Sequence, residues 1–200
     1  MQILRMPQNS EEWYQARLGR VTASCFSDVM AGGKGITRNK YMMRLAAERL
    51  TGLRQDSYSN AAMEAGHEFE PLARASYEFE HDVAVEQIGL IQSGEWIAAS
   101  PDGLVGDNGL LELKCPYTTT HMQYWLDDRL PPEYRQQVQG QLWVSEREFC
   151  DFCSYDGRLK TKNLFVKRVY RDDKFIFEIQ RAVDEFVKEL QELITNFSVG

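Results

Sequence analysis

Pro101-Asp102 precedes the triplet Glu112-Leu113-Lys114, and Gly106-Asp107-Asn108-Gly109 lies between them. In a strand, positions i and i+2 share a face, so Glu112 and Lys114 point one way and Leu113 points toward a core. The glycine-flanked turn joins strands at about Asp102 to Val105 and Leu110 to Cys115 into a hairpin, which folds Asp102 back beside them. Two carboxylates, an ammonium and the Leu113 backbone carbonyl then converge on one sheet edge. Such hard oxygen donors suit Mg²⁺ or Mn²⁺ rather than zinc. Cleaving a phosphodiester requires charge to be neutralised on a pentacovalent transition state, a water to be made acidic and a leaving oxygen to be steadied. One or two hard cations supply all three. Lys114 would position or deprotonate the water. Cations would lower its pKa and the carboxylates raise it, so its protonation state stays open. The same pattern also fits a solvated aspartate at a turn followed by a surface Glu-Lys pair. Placement on two hairpin strands within an acidic segment favours the nuclease.

The elements around this hairpin follow from periodicity. Ser10-Glu11-Glu12-Trp13 opens a short helix, and Asn39 to Leu50 reads as a second, stopped by Gly52. A third helical run starts at Ser59 and carries Phe69, Ala73 and Tyr77 to about Glu80, with Pro71 either kinking or restarting it. Val83 to Val85, Ile88 to Ile91 and Trp96 to Ala99 read as strands. Helical patterning returns at Thr118 to Asp127 and Glu133 to Ser145, followed by strands near Phe149 to Tyr155 and Leu164 to Tyr170. A long amphipathic helix begins at Asp172. The order implies an α/β or α+β domain, residues 1–200 as one unit, with a central mixed sheet flanked by helices.

A chain of 200 residues with 43% hydrophobic and 26% charged side chains is neither disordered nor a disulfide scaffold. Its formal charge of −7 is not that of a typical nucleic-acid coat protein. The acid is concentrated, however: residues 61–112 hold eleven carboxylates and one basic residue, Arg74. Those carboxylates face water or a bound cation, and composition does not choose. No stretch is long and apolar enough to span a bilayer, and Met1 to Ser10 lacks a signal-peptide layout, so a cytoplasmic location without membrane contact is expected. Cys25, Cys115, Cys150 and Cys153 are expected as reduced thiols. The Cys150-x-x-Cys153 pair has no second pair to complete a metal site. The densest basic stretch, Arg158 to Lys174, and the loop from Gly32 to Lys40 would touch a DNA backbone or form solvated faces. Trp13, Trp96, Trp125 and Trp143 read as core, and His67, His81 and His121 have no ligand-like neighbours.

The sequence resembles the lambda-type phage exonucleases, the alkaline exonucleases of phage recombination, within the PD-(D/E)xK nuclease superfamily. The blocks that carry the resemblance run in family order: Trp13 to Ser24, Gly66 to Glu70, Ser100 to Gly103, Leu111 to Pro116, and Gln137 to Gln139 through Trp143-Val144. The resemblance implies a restriction-endonuclease-like core in which Asp102, Glu112 and the Leu113 carbonyl ligate the metals and Lys114 is the catalytic lysine. Glu70 would help hold a second metal and Gln137 would lie near the attacking water. Arg17, Thr22 and Ser24 would hold a 5′-terminal phosphate, for which a guanidinium and hydroxyls are suited. On their own, Glu70 and Gln137 fit solvated helix positions, Arg17 a surface charge, and Thr22 and Ser24 helix caps. The implied activity is Mg²⁺-dependent 5′ to 3′ digestion of one strand of double-stranded DNA from its ends, leaving a 3′ overhang. The implied assembly is a ring-shaped homotrimer, with a phage single-strand annealing recombinase as partner. An endonuclease of the same superfamily and a non-catalytic DNA-binding protein on this scaffold are the alternatives. The first would nick closed circles, and the second would bind without turnover.

Overall fold

The structure is a computed structural model that describes residues 1–31, 35–55 and 61–198, with the backbone alone for 61–68. In chain order its elements are β1 (Gln2–Leu4), α1 (Glu11–Arg17), β2 (Val21–Thr22), a 3-10 turn (Ala23–Cys25), α2 (Phe26–Met30), α3 (Ile36–Thr51) and α4 (Ala61–His81). There follow β3 (Val85–Glu86), β4 (Leu90–Ser93), β5 (Ile97–Ala99), β6 (Gly103–Val105), β7 (Gly109–Lys114) and α5 (Thr118–Asp127). A second 3-10 turn (Pro132–Tyr134), α6 (Arg135–Ser145), β8 (Phe149–Tyr155), β9 (Leu164–Tyr170) and α7 (Asp173–Ser198) complete it.

The expected hairpin is present. β6 and β7 pair antiparallel, with Gly103 opposite Leu111 and Val105 opposite Gly109, and Gly106 takes a positive φ of 52° in the turn. β7 pairs parallel with β8, and a parallel pair needs a crossover, which α5 and α6 supply. β9 and β3 close the two sides in the order β3-β6-β7-β8-β9. Side chains on β7 alternate as the pleat demands. Leu110 enters the larger core with Cys150, while Leu111 and Leu113 enter a second core with Cys153 and with Ala73 and Tyr77 of α4. Cys150 and Cys153 are three apart on a strand and so face opposite ways, which rules them out as a metal pair. All four cysteines are free thiols. The apolar stripe of α7, from Ile176 through Ile179, Val183 and Phe186 to Leu190, packs with Tyr41, Met42 and Leu45 of α3.

The five-stranded mixed sheet is the expected one, and a second sheet, in the order β1-β4-β5-β2, adds to it. β1 and β2 have three and two residues, too few for alternation to register in a sequence. Two expected helix boundaries also change. α3 starts at Ile36, inside a stretch read as loop. α4 runs unbroken through Pro71 to His81; its expected start at Ser59 lies outside the described residues. Proline there removes one backbone donor, yet α4 is tied to the sheet further on, where the Tyr77 hydroxyl donates to Asp151 at 2.6 Å.

Candidate active site

Glu112 occupies the face of β7 opposite Leu113 and is 2% exposed. Three donors converge on its carboxylate. The Lys114 ammonium and Gln137 Nε2 both donate to Oε1, and Gln141 Nε2 donates to Oε2 at 2.6 Å. Lys114 comes to the same face by the two-residue period of the strand, and its Nζ also lies 5.4 Å from the centre of the Tyr134 ring. Gln137 and Gln141 are one turn apart on α6, so one helix face delivers both. α6 approaches closely because residue 140 is glycine: a Cβ there would sit 2.3 Å from Cδ2 of Phe26.

Asp102 lies just before β6. Its backbone N–H donates to the Leu111 carbonyl at 3.0 Å, and its Oδ2 accepts from the Leu113 backbone N–H at 2.6 Å. The hairpin thereby sets Asp102 against Glu112, as the spacing required. Burial raises the Asp102 pKa to about 8, Glu112 and Glu70 add to the rise, and Lys114 with the Leu113 N–H opposes it. Burial alone would lower the Lys114 pKa, but Glu112 and Asp102 outweigh it and hold the ammonium above its ordinary value. In this geometry the two acids favour the ammonium form of Lys114, whereas a bound cation would act the other way. Glu70 of α4 lines a cavity of about 250 Å³ together with Asp102, Gln8, Arg74 and Gln87. Burial, with Glu70 and Asp102, also pushes the Cys115 thiol up to about 12, so it is no nucleophile at neutral pH.

The donor set fits a hard divalent cation. Asp102, half-buried, and Glu112, buried, are mutually repelling oxygen donors, and a bound cation relieves that repulsion while favouring both ionised forms. Among the described residues no three His, Cys, Asp or Glu side chains already gather at ligating distance. The acids that converge are Asp102 and Glu112, and Glu70 lines the same cavity as Asp102 and acts on its charge.

The second predicted cluster also assembles, at the end of α1. Arg17 is partly buried rather than a surface charge. Its Nη1 donates to Ser100 Oγ at 2.8 Å, and its Nη2 reaches Thr22 Oγ1 at 3.5 Å. The hydroxyls of Thr22 and Ser24 are 3.3 Å apart. Thr22 stands at the N-cap of the 3-10 turn but makes no side-chain cap hydrogen bond, and Ser24 lies inside that turn, so both hydroxyls stay available; the cap of α1 is Ser10, whose hydroxyl accepts from the Trp13 N–H. Trp13 donates from its indole to the Gly89 carbonyl at 2.8 Å and lies under Arg17, whose guanidinium carbon is 4.2 Å from the ring centre. Burial lowers the Arg17 pKa from its ordinary value.

Sequence reasoning passed over Ser100 and Gln141. Ser100 carried a signal, since it adjoins Pro101-Asp102, and so did Gln141, one helical turn beyond Gln137. Other basic side chains are occupied: Arg158 pairs with Asp156, Arg168 with Asp151, Lys167 with Asp128 and Arg171 with Asp173. Arg38 forms a bidentate pair with Glu189. Residues 32–34 of the other basic segment lie outside the described residues. His121 is fully buried between Ser154 Oγ and the Lys162 carbonyl, and His81 packs on Tyr77. The side chain of His67 lies outside the described residues.

An acid pair and a lysine on a hairpin strand, in a mixed sheet crossed over by helices, define a nuclease core of the PD-(D/E)xK type. The family model of the YqaJ-like viral recombinase domain matches residues 12–148, and the chain belongs to that family. It is 44% identical to an alkaline exonuclease from Laribacter hongkongensis, whose crystal structure superposes with a TM-score of 0.88 over 94% of this chain and 96% of that one. The same exonuclease in complex with dAMP matches equally well, at 46% identity and a TM-score of 0.88. A phage-related exonuclease from Haemophilus somnus shares the fold at 16% identity, with a TM-score of 0.70 over 89% of this chain and 96% of that one. An uncharacterised mimivirus protein is 31% identical over 171 residues, covering 77% of this chain, and the match spans 30% of that longer protein. Among the described residues no helix is long and apolar enough to cross a membrane.

Proposed function

We propose that the protein is a Mg²⁺-dependent exodeoxyribonuclease, with Mn²⁺ able to substitute. It would digest one strand of linear double-stranded DNA from the 5′ end toward the 3′ end, release mononucleotides and leave a 3′ overhang for recombination by strand annealing. Membership in a viral recombinase family and 44% identity to an alkaline exonuclease support an exonuclease. The dAMP held by that relative belongs to the expected product class.

The observation that carries end-directed cleavage is the link between the two clusters. Ser100, two residues before Asp102, accepts from Arg17. A terminal phosphate held by Arg17, Thr22 and Ser24 would therefore set the first linkage beside the acid pair. Asp102, Glu112 and the Leu113 carbonyl would hold the metal, with Glu70 contributing to a second. The bound cations supply transition-state charge neutralisation and a more acidic attacking water. Gln137 and Gln141 fix the Glu112 carboxylate so that its oxygens stay aimed. Lys114, hydrogen-bonded to Glu112, would orient the water and steady oxygen charge as it develops. A ring-shaped homotrimer threading DNA, and an annealing recombinase loading on the overhang, complete the proposal. They rest on the resemblance to lambda-type exonucleases.

Nucleotide release from linear duplex labelled at either end, with a closed circle as control, tests this reading. Wild-type protein should release label from the 5′ end first and spare the circle. Lys114→Ala, Asp102→Ala and excess chelator should each abolish release. Nicking of the circle would instead indicate an endonuclease, and binding without turnover at any metal concentration a non-catalytic protein.

A further inference from the structure

The pocket beside Arg17 contains more positive charge than the three residues singled out by sequence. It has a volume of about 150 Å³, and its lining includes Arg17, Thr22, Tyr41, Arg44, Glu48 and Arg54. Arg44 stands on α3, one turn beyond Tyr41, with its guanidinium carbon 4.9 Å from the Tyr41 ring centre. One Nη2 reaches Cys25 Sγ at 3.8 Å, a weak acceptor, and Arg44 Nε is buried with no hydrogen-bond partner. A ligand oxygen entering the pocket would satisfy this buried guanidinium donor. Glu48 Oε2 is turned to the Gly19 backbone N–H at 2.8 Å, and Asp28 is near enough for Arg44 to oppose the rise that burial imposes on its pKa, without forming an ion pair with it among the described residues. The charge of Arg44 adds to the lowering that burial imposes on Arg17, so the two cations are close neighbours.

We propose that Arg44, among the arginines lining this pocket, is the guanidinium that joins Arg17 on a bound phosphate and reads the extra negative charge by which a terminal phosphate differs from an internal phosphodiester. An internal linkage carries one negative charge, whereas a phosphate monoester carries roughly 1.5 to 2 at neutral pH. One guanidinium and two hydroxyls satisfy a monoanion, while a second fork across the pocket favours the dianion. Arg44 is therefore a specificity-determining residue for 5′-phosphorylated ends. This inference rests on the pocket being the end-phosphate site.

The test compares kcat/KM on linear duplexes that differ only in a 5′-phosphate or 5′-hydroxyl, for wild type, Arg44→Gln and Arg44→Lys. Affinity for the same duplexes is measured by fluorescence anisotropy with EDTA present. The phosphate-to-hydroxyl ratio of wild type should fall roughly 10- to 100-fold in Arg44→Gln, the loss of one charge-assisted contact. Arg44→Lys, which keeps stem and charge but not the fork, should fall between, and it decides the matter if Arg44→Gln does not fold. Both substrates declining together with an unchanged ratio would overturn the role of Arg44 and leave the end-phosphate reading intact. A wild-type ratio near one would overturn that reading itself, and the inference with it.

Discussion

Gln141 is the sharpest place to separate what the site needs from what the fold needs. It is 1% exposed, donates from Nε2 to Glu112 Oε2 at 2.6 Å, and leaves its own Oε1 buried without a partner. Gln141→Met keeps length and approximate volume while deleting both groups. The lost hydrogen bond to a carboxylate costs about 1.5–3 kcal/mol, and relief of the orphaned oxygen returns about 1–3 kcal/mol. The two terms nearly cancel, so stability should change by less than about 2 kcal/mol in either direction, read from the urea midpoint at unchanged slope. Activity has no such compensation. Glu112 loses the donor on the oxygen that Lys114 and Gln137 do not reach, and partners of metal-ligating carboxylates are worth about 10- to 100-fold. Nucleotide release should fall by that amount, with half-saturation moving to higher Mg²⁺. Activity within twofold of wild type at unchanged stability would refute the idea that α6 aims Glu112.

Three further outcomes follow from the packing. Gly140→Ala should cost about 1–3 kcal/mol by forcing its methyl into Phe26, and should also impair release because Gln137 and Gln141 flank it on α6; urea unfolding and the nuclease assay check the two effects. Tyr77→Phe should cost only about 1–2 kcal/mol in the same unfolding assay, since Asp151 loses one donor but keeps the bidentate Arg168. Burial would raise the Asp156 pKa, yet its contacts with Arg158 overcome this and bring it to about 2. The folded value is depressed, so the contribution is present above the unfolded value of about 4 and lost as pH falls through about 2. With Arg158 half-exposed and screened, wild type should lose about 1 kcal/mol more than Asp156→Asn between about pH 5 and pH 2, measured by chemical denaturation.

The sequence made the site legible to the extent that local periodicity could reach it. A two-residue alternation on β7 and a glycine-flanked turn were enough to bring Asp102, Glu112 and Lys114 together. Strands of six or seven residues, such as β7, β8 and β9, were found nearly to the residue because alternation over that length leaves few other readings. β1 and β2 escaped because their pairing partners lie far along the chain, at Leu90 to Gln92 and Ile97 to Ala98. What converges on Glu112 from α6, and on the Arg17 pocket from Ser100 and Arg44, is set by tertiary packing. The close approach at Gly140 is an example: nothing local says that Phe26 will fill that space. Charge counting likewise registered Arg158 to Lys174 as a basic tract, while folding pairs several of its side chains with carboxylates.

The measurement that bears most directly on the account is the anomalous diffraction of crystals grown with Mn²⁺. The account predicts an anomalous peak between the Asp102 and Glu112 carboxylates, lost in Asp102→Ala crystals that retain the fold. Crystals of protein that is active with Mn²⁺ but shows no peak there, or a peak only at a site remote from both acids, would contradict it.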